Sequence, residues 1–102
     1  MLHTLGKLEA AEPLYCEALA GRRRALGDAH PSTLTSISNM AQLMHTLGKL
    51  EAAEPLYREA HAGLRRALGD AHPNVAGVAN NLANLLAARG KNREAAALRA
   101  KK

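Results

Sequence analysis

Apolar residues recur at steps of three and four along two adjoining stretches of this chain. Over residues 31–47 they are Leu34, Ile37, Met40, Ala41, Met44 and Leu47. Over residues 50–68 they are Leu50, Ala53, Leu56, Tyr57, Ala60, Leu64 and Leu68. That spacing puts each set on one face of a helix. Gly48-Lys49 interrupts the pattern and Gly69 ends it, glycine being suited to the left-handed residue that closes a helix. Pro31 and Pro73 stand where a first helical turn begins, a place where the missing N–H costs nothing. Applied along the whole chain, the pattern predicts five helices, over residues 7–26, 31–47, 49–68, 73–89 and 91–101. The connections are short, so neighbouring helices run antiparallel.

The pattern repeats because the sequence does. Residues 3–31 recur at 45–73, an offset of 42, with three substitutions in 29 positions: Cys16/Arg58, Leu19/His61 and Arg22/Leu64. A third, decayed copy starts at Gly90-Lys91. A period of this size marks a stack of helix pairs in which each unit buries its apolar face against the next. One domain is expected over 1–102, made of a partial repeat 1–30, a full repeat 31–72 and a partial or capping repeat 73–102. Too few residues precede His3 to supply that unit's first helix. The helix over 7–26 therefore shows an apolar face without a partner from its own repeat, through Leu8, Ala11, Leu14, Tyr15, Ala18 and Leu26. Self-association through that end and continuation into a longer array both answer to this pattern.

Composition thins the expected core. The hydrophobic fraction of 47% rests largely on alanine, with no Phe, no Trp and two Tyr. Alanine buries little area, so stability has to accumulate from many small contacts along the stack. Gly21 and Gly63 occupy equivalent positions deep in their helices, where glycine costs about 1 kcal/mol relative to alanine. Either close helix packing or mere inheritance between copies accounts for the pair.

The run HPSTLTSISNMAQLMHTLGKLEAAEPLYREAHAGLRRALGDAHP, residues 30–73, resembles the long, 42-residue tetratricopeptide repeat of kinesin light chains. The following HPNVAGVANNLANLLAARGKNREAAALRA keeps the NNLA run and the Gly-Lys turn but loses EPLY. The resemblance implies an all-α fold, a right-handed superhelical solenoid of antiparallel helix pairs. It implies a protein-interaction scaffold in which the first helix of each pair lines a concave groove. It also implies that Asn39 and Asn81, counterparts of the second asparagine in the family's NN pair, hold the main chain of a bound peptide.

On that groove face the polar residues are Thr35, Ser38, Asn39, Gln42, His45 and Thr46, then Asn80, Asn81 and Asn84 in the next unit. Carboxamides both donate and accept, which suits an extended peptide backbone whatever its side chains. The same asparagines are equally able to brace neighbouring helices. The first helices differ between copies where the second helices are nearly identical, so variation concentrates on the groove side.

Charge and candidate chemistry add little to this picture. A formal net charge of +5 admits acidic partners. The clusters Arg22-Arg23-Arg24 and Arg65-Arg66 fall near helix C-termini, where positive charge favours the helix dipole. No aromatic platform accompanies them, which disfavours nucleic acid. The pairs Glu9/Glu12 and Glu51/Glu54 open helices and serve the opposite dipole end. The five histidines lack metal-ligand spacing, and neither a nucleophile elbow nor a phosphate loop is present. No cofactor, no metal and no catalysis are expected. Cys16 stands where the second copy has Arg58, so it faces solvent, and a lone thiol favours a reducing, cytoplasmic setting. No apolar run is long enough to span a bilayer.

Overall fold

The computed structural model describes residues 2–100, with side chains over 9–99. It contains five helices: α1 (Leu2–Leu26), α2 (Pro31–Thr46), α3 (Leu50–Leu68), α4 (Pro73–Ala88) and α5 (Asn92–Ala100). Four of them match the periodicity to within a residue at each described end. The exception is α1, which begins at Leu2 rather than near Lys7. The identical run HTLGKLEAAEPLY is continuous helix over 3–15 but breaks at Gly48 over 45–57. Local sequence therefore does not decide the turn; it forms where two packed helices, α2 and α3, require one.

The turns are made alike in both copies. Gly48 and Gly90 take φ of +83° and +81°. Behind them Lys49 N–H donates to Met44 C=O (2.8 Å) and Lys91 N–H to Leu86 C=O (2.7 Å). Paired with Gly48 N–H to His45 C=O and Gly90 N–H to Ala87 C=O, both 3.0 Å, these form Schellman closures. At the other ends, His30 and His72 are N-caps with extended backbones. Their Nδ1 atoms accept the N–H of Ser32 (3.0 Å) and Asn74 (3.1 Å), taking up donors the first turn leaves unpaired. The equivalent histidines that precede each proline thus have a structural task.

Successive helices pack on one another, and α2 also meets α4, so α2 and α4 form an inner layer and α1, α3 and α5 an outer one. The molecule is 19 Å across its thinnest dimension, about two helices deep. Its core runs through the inner layer: Ile37, Ala41, Leu85 and Leu86 are fully buried, with Tyr57 and Leu64 of α3 set against them. The alanines act as expected, since Ala53, Ala60 and Ala83 are all 0% exposed and let backbones approach. The two deep glycines separate clearly. A Cβ on Gly63 would lie 2.6 Å from Leu34 Cδ2, whereas one on Gly21 would meet nothing within 4 Å. Close packing explains the first, while Gly21 meets no neighbour among the described residues.

The outer helices do not pack on each other. Among the described residues no Cα of α1 comes within 8 Å of α3, nor of α3 within 8 Å of α5. Ion pairs span these gaps instead. Lys49 Nζ lies 2.8 Å from Glu12 Oε1, and Arg23 reaches Glu59 with both Nη atoms at 3.0 and 3.1 Å. Arg58 reaches Glu94 at 2.8 Å. Glu54 is the hub of this system. Only 7% exposed, it receives Arg58 (2.9 Å), Arg89 (2.6 Å) and Lys91 (3.2 Å). Burial alone would raise its carboxyl pKa, but the three cations outweigh that and hold it at about 2. The helix-dipole reading of Glu54 therefore gives way to a tie between α3, the end of α4 and the start of α5.

Candidate functional site

The inner layer presents one face to solvent. On α2, Gln42, His45 and Thr46 fall at steps of three and four; on α4, Asn81 and Asn84 do the same. Together with Tyr57 of α3 they line a single depression of about 390 Å³. Four of the residues expected in a groove are thus brought together: Gln42, His45, Asn81 and Asn84. None of the lining residues carries a formal charge, so whatever sits there is met by hydrogen-bonding groups rather than by a field.

The remaining members of the polar strip lie outside this depression. Thr35, Asn39 and Asn80 are exposed, with Asn39 one turn before Gln42 on the same helix face. Ser38 departs most from expectation. It is 8% exposed, because its step along α2 turns it toward the packed side beside Ile37. Tyr57 was legible only as core. It is 1% exposed yet forms part of the depression's wall, and burial raises its phenol pKa.

The asparagines divide between the two roles open to them. Asn84 Oδ1 accepts from Arg99 Nη2 of α5 at 2.6 Å, so this carboxamide braces the stack. Asn39 and Asn81 have no side-chain hydrogen bond among the described residues, and both reach the surface. Thr46 is satisfied locally, its hydroxyl donating to Gln42 C=O at 3.0 Å. Thr35, Asn39, Gln42, His45, Asn80 and Asn81 are therefore the groove residues whose side chains make no hydrogen bond among the described residues.

Other features compete weakly. A cleft of about 380 Å³ beside α4 has Val75, Ala76 and Ala79 at its floor, and its rim carries Arg65 paired to Asp70 at 2.6 Å. The arginine clusters are partly spent: Arg23 is held by Asp28 and Glu59, Arg65 by Asp70, and each pairing raises the guanidinium pKa further. Cys16 is exposed, as its position opposite Arg58 implied. Among the described residues no helix is long and apolar enough to cross a membrane.

A family model of the tetratricopeptide repeat matches residues 1–66 and 47–98. The chain belongs to the tetratricopeptide repeat family. Tetratricopeptide repeats are non-catalytic units that generally mediate protein–protein interaction. Solved structures agree, among them the crystal structure of BtubC (BKLC) from P. vanneervenii. It superposes with a TM-score of 0.78 and 28% identity, over 92% of this chain and 40% of that one. The chain thus spans about 40% of the length of BtubC. The 42-residue period and this likeness identify the repeats as the long, kinesin-light-chain-like kind. No curated protein matches significantly.

Proposed function

We propose that this chain is a non-catalytic scaffold that holds an extended peptide, or one face of a partner helix, against the α2/α4 surface. The observation that carries the reading is the gathering of Gln42, His45 and Asn81 in one uncharged depression, with Asn39 a turn away. Asn39 and Asn81 are assigned the main-chain contacts, because each carboxamide offers a donor and an acceptor that no group among the described residues has taken. Gln42, His45, Thr35 and Asn80 shape selectivity around them. Asn84 contributes through its amide nitrogen while its oxygen stays with Arg99. The exposed single thiol, Cys16, suits a reducing compartment, and the working location is taken as the cytoplasm.

The test uses peptides selected from a random library on the intact chain. With about 1 kcal/mol per net hydrogen bond, the double Asn39→Ala, Asn81→Ala variant loses about 2 kcal/mol, roughly 30-fold in Kd. Raising the salt changes the wild-type Kd little. Unchanged affinity in the double variant removes these residues from the site. A steep salt dependence favours Arg22, Arg24 and Arg66 instead, which make no ion pair among the described residues.

A further inference from the structure

We propose that the Tyr57 hydroxyl is the floor of a subsite that selects a neutral carboxamide side chain, glutamine or asparagine, in the bound peptide. The subsite exists only if peptides bind the α2/α4 surface as proposed above. Tyr57 is 1% exposed, yet it lines the depression between α2 and α4. Its hydroxyl makes no hydrogen bond among the described residues, where no buried side-chain nitrogen or oxygen lacks a partner. The phenolic oxygen is therefore not sealed in the core, and the depression is the opening that it lines. The next repeat shows where this position aims. Forty-two residues on, Tyr57 becomes Arg99 and Gln42 becomes Asn84. Arg99 Nη2 donates to Asn84 Oδ1 at 2.6 Å, so a polar head at this place on the outer helix reaches the inner-layer carboxamide. In the middle repeat Tyr57 and Gln42 line one depression without bonding to each other, which leaves the phenol for a ligand.

The chemistry of the ligand follows from what surrounds that oxygen. Neither α2 nor α4 contains an Asp, Glu, Lys or Arg. A carboxylate or an ammonium would give up water over the phenol and find no opposite charge on either helix. An aliphatic side chain would cover the phenol and leave its hydroxyl unpaired. A carboxamide escapes both costs. Asn84, its oxygen held by Arg99, keeps amide N–H groups to donate. Thr46, its proton directed to Gln42 C=O, keeps an oxygen that accepts. A carboxamide carries its acceptor and its donors on separate atoms, so it can use both of these and the phenol together. A serine or threonine hydroxyl presents both from a single atom. Sites built to hydrogen-bond one group reject analogues that lack it more strongly than they reject a change of size.

Peptides selected from a random library on the intact chain supply the probes, and those weakened by the Asn39→Ala, Asn81→Ala variant are the groove ligands. These should share a glutamine or asparagine at one position. Exchanging that residue for leucine or glutamate should weaken binding to the wild type by roughly 10- to 100-fold. The leucine exchange should matter several-fold less against Tyr57→Phe, and the cycle of the two changes isolates their coupling. Tyr57→Phe keeps the buried ring and removes a hydroxyl without a partner among the described residues, so helical circular dichroism and Tm should stay unchanged. The exchanges on the peptide test the subsite without touching the fold. Groove ligands that share no carboxamide, that carry Asp or Glu there, or that bind Tyr57→Phe as tightly as wild type would overturn the subsite and leave the groove reading intact. Peptides indifferent to Asn39 and Asn81 would overturn both.

Discussion

Alanine substitution at the two equivalent glycines should move stability in opposite directions. Gly21 and Gly63 lie 42 residues apart in near-identical sequence, so their local helix propensities are the same. Replacing a helix-interior glycine with alanine gains about 0.5–1 kcal/mol through chain entropy when nothing is displaced. At Gly21 nothing lies within 4 Å of the added methyl, so Gly21→Ala should gain that amount. At Gly63 the methyl would come within 2.6, 2.8 and 3.2 Å of Leu34 Cδ2, Cδ1 and Cγ. Leu34 is 2% exposed and has no open space to turn into, so it must leave its rotamer or push α2 away from α3. Overpacking of this kind costs about 1–3 kcal/mol. After the entropy gain is subtracted, Gly63→Ala should lose up to about 2 kcal/mol, and the two variants should differ by the overpacking cost itself, about 1–3 kcal/mol. At this chain length that is a separation of roughly 10 °C in Tm. Urea titration followed by circular dichroism reads the same difference in free energy. Shortening Leu34 to Val in the Gly63→Ala background should restore part of the loss, which a double-mutant cycle isolates. If Gly63→Ala stabilises as much as Gly21→Ala, the close approach of α2 and α3 is wrong.

Two further predictions concern the groups that hold the repeats in register. Glu54→Gln should cost about 2–3 kcal/mol at neutral pH, because it takes the charge from a buried acceptor of three cations. The Glu54 carboxyl is held at about 2 when folded against an ordinary 4.5, so its stabilisation is complete above pH 4.5 and lost as pH falls toward 2. The gap between wild type and Glu54→Gln should therefore close over that window, and a gap independent of pH contradicts the ion-pair account. His72→Ala should lose about 1 kcal/mol of cap, and His72→Asp should recover it by accepting the Asn74 N–H and favouring the helix dipole. Thermal melts of the two variants decide this.

Much of the fold was legible because apolar spacing and the 42-residue echo point the same way. Ile37, Met40, Ala41 and Met44 lie where their spacing put them, and the glycine turns fall at Gly48, Gly69 and Gly90. What escaped was whatever depends on a distant neighbour. The run around Gly6-Lys7 reads as a turn yet continues as helix, since the turn at Gly48 is imposed by packing. Glu54 reads as a helix-end charge until α4 and α5 bring Arg89 and Lys91 to it. A signal did exist in the sequence: Glu12 and Lys49 stand 37 residues apart, as do Glu54 and Lys91. Of the groove residues, those one face of α2 and α4 could share were legible. Ser38 was not, because a residue at the edge of a helical stripe is assigned to a side only by the neighbour that covers it. Nor was the division of the asparagines, since only the placement of Arg99 tells Asn84 from Asn81.

The most direct test of the scaffold reading is a titration of a library-selected peptide into isotopically labelled protein, following the side-chain amide resonances. The account predicts that the carboxamide signals of Asn39 and Asn81 shift together with Gln42 and the His45 ring, while residues of α1 and the outer face of α3 stay still. Shifts confined to the outer helices, with the Asn39 and Asn81 amides unmoved at saturation, would contradict it.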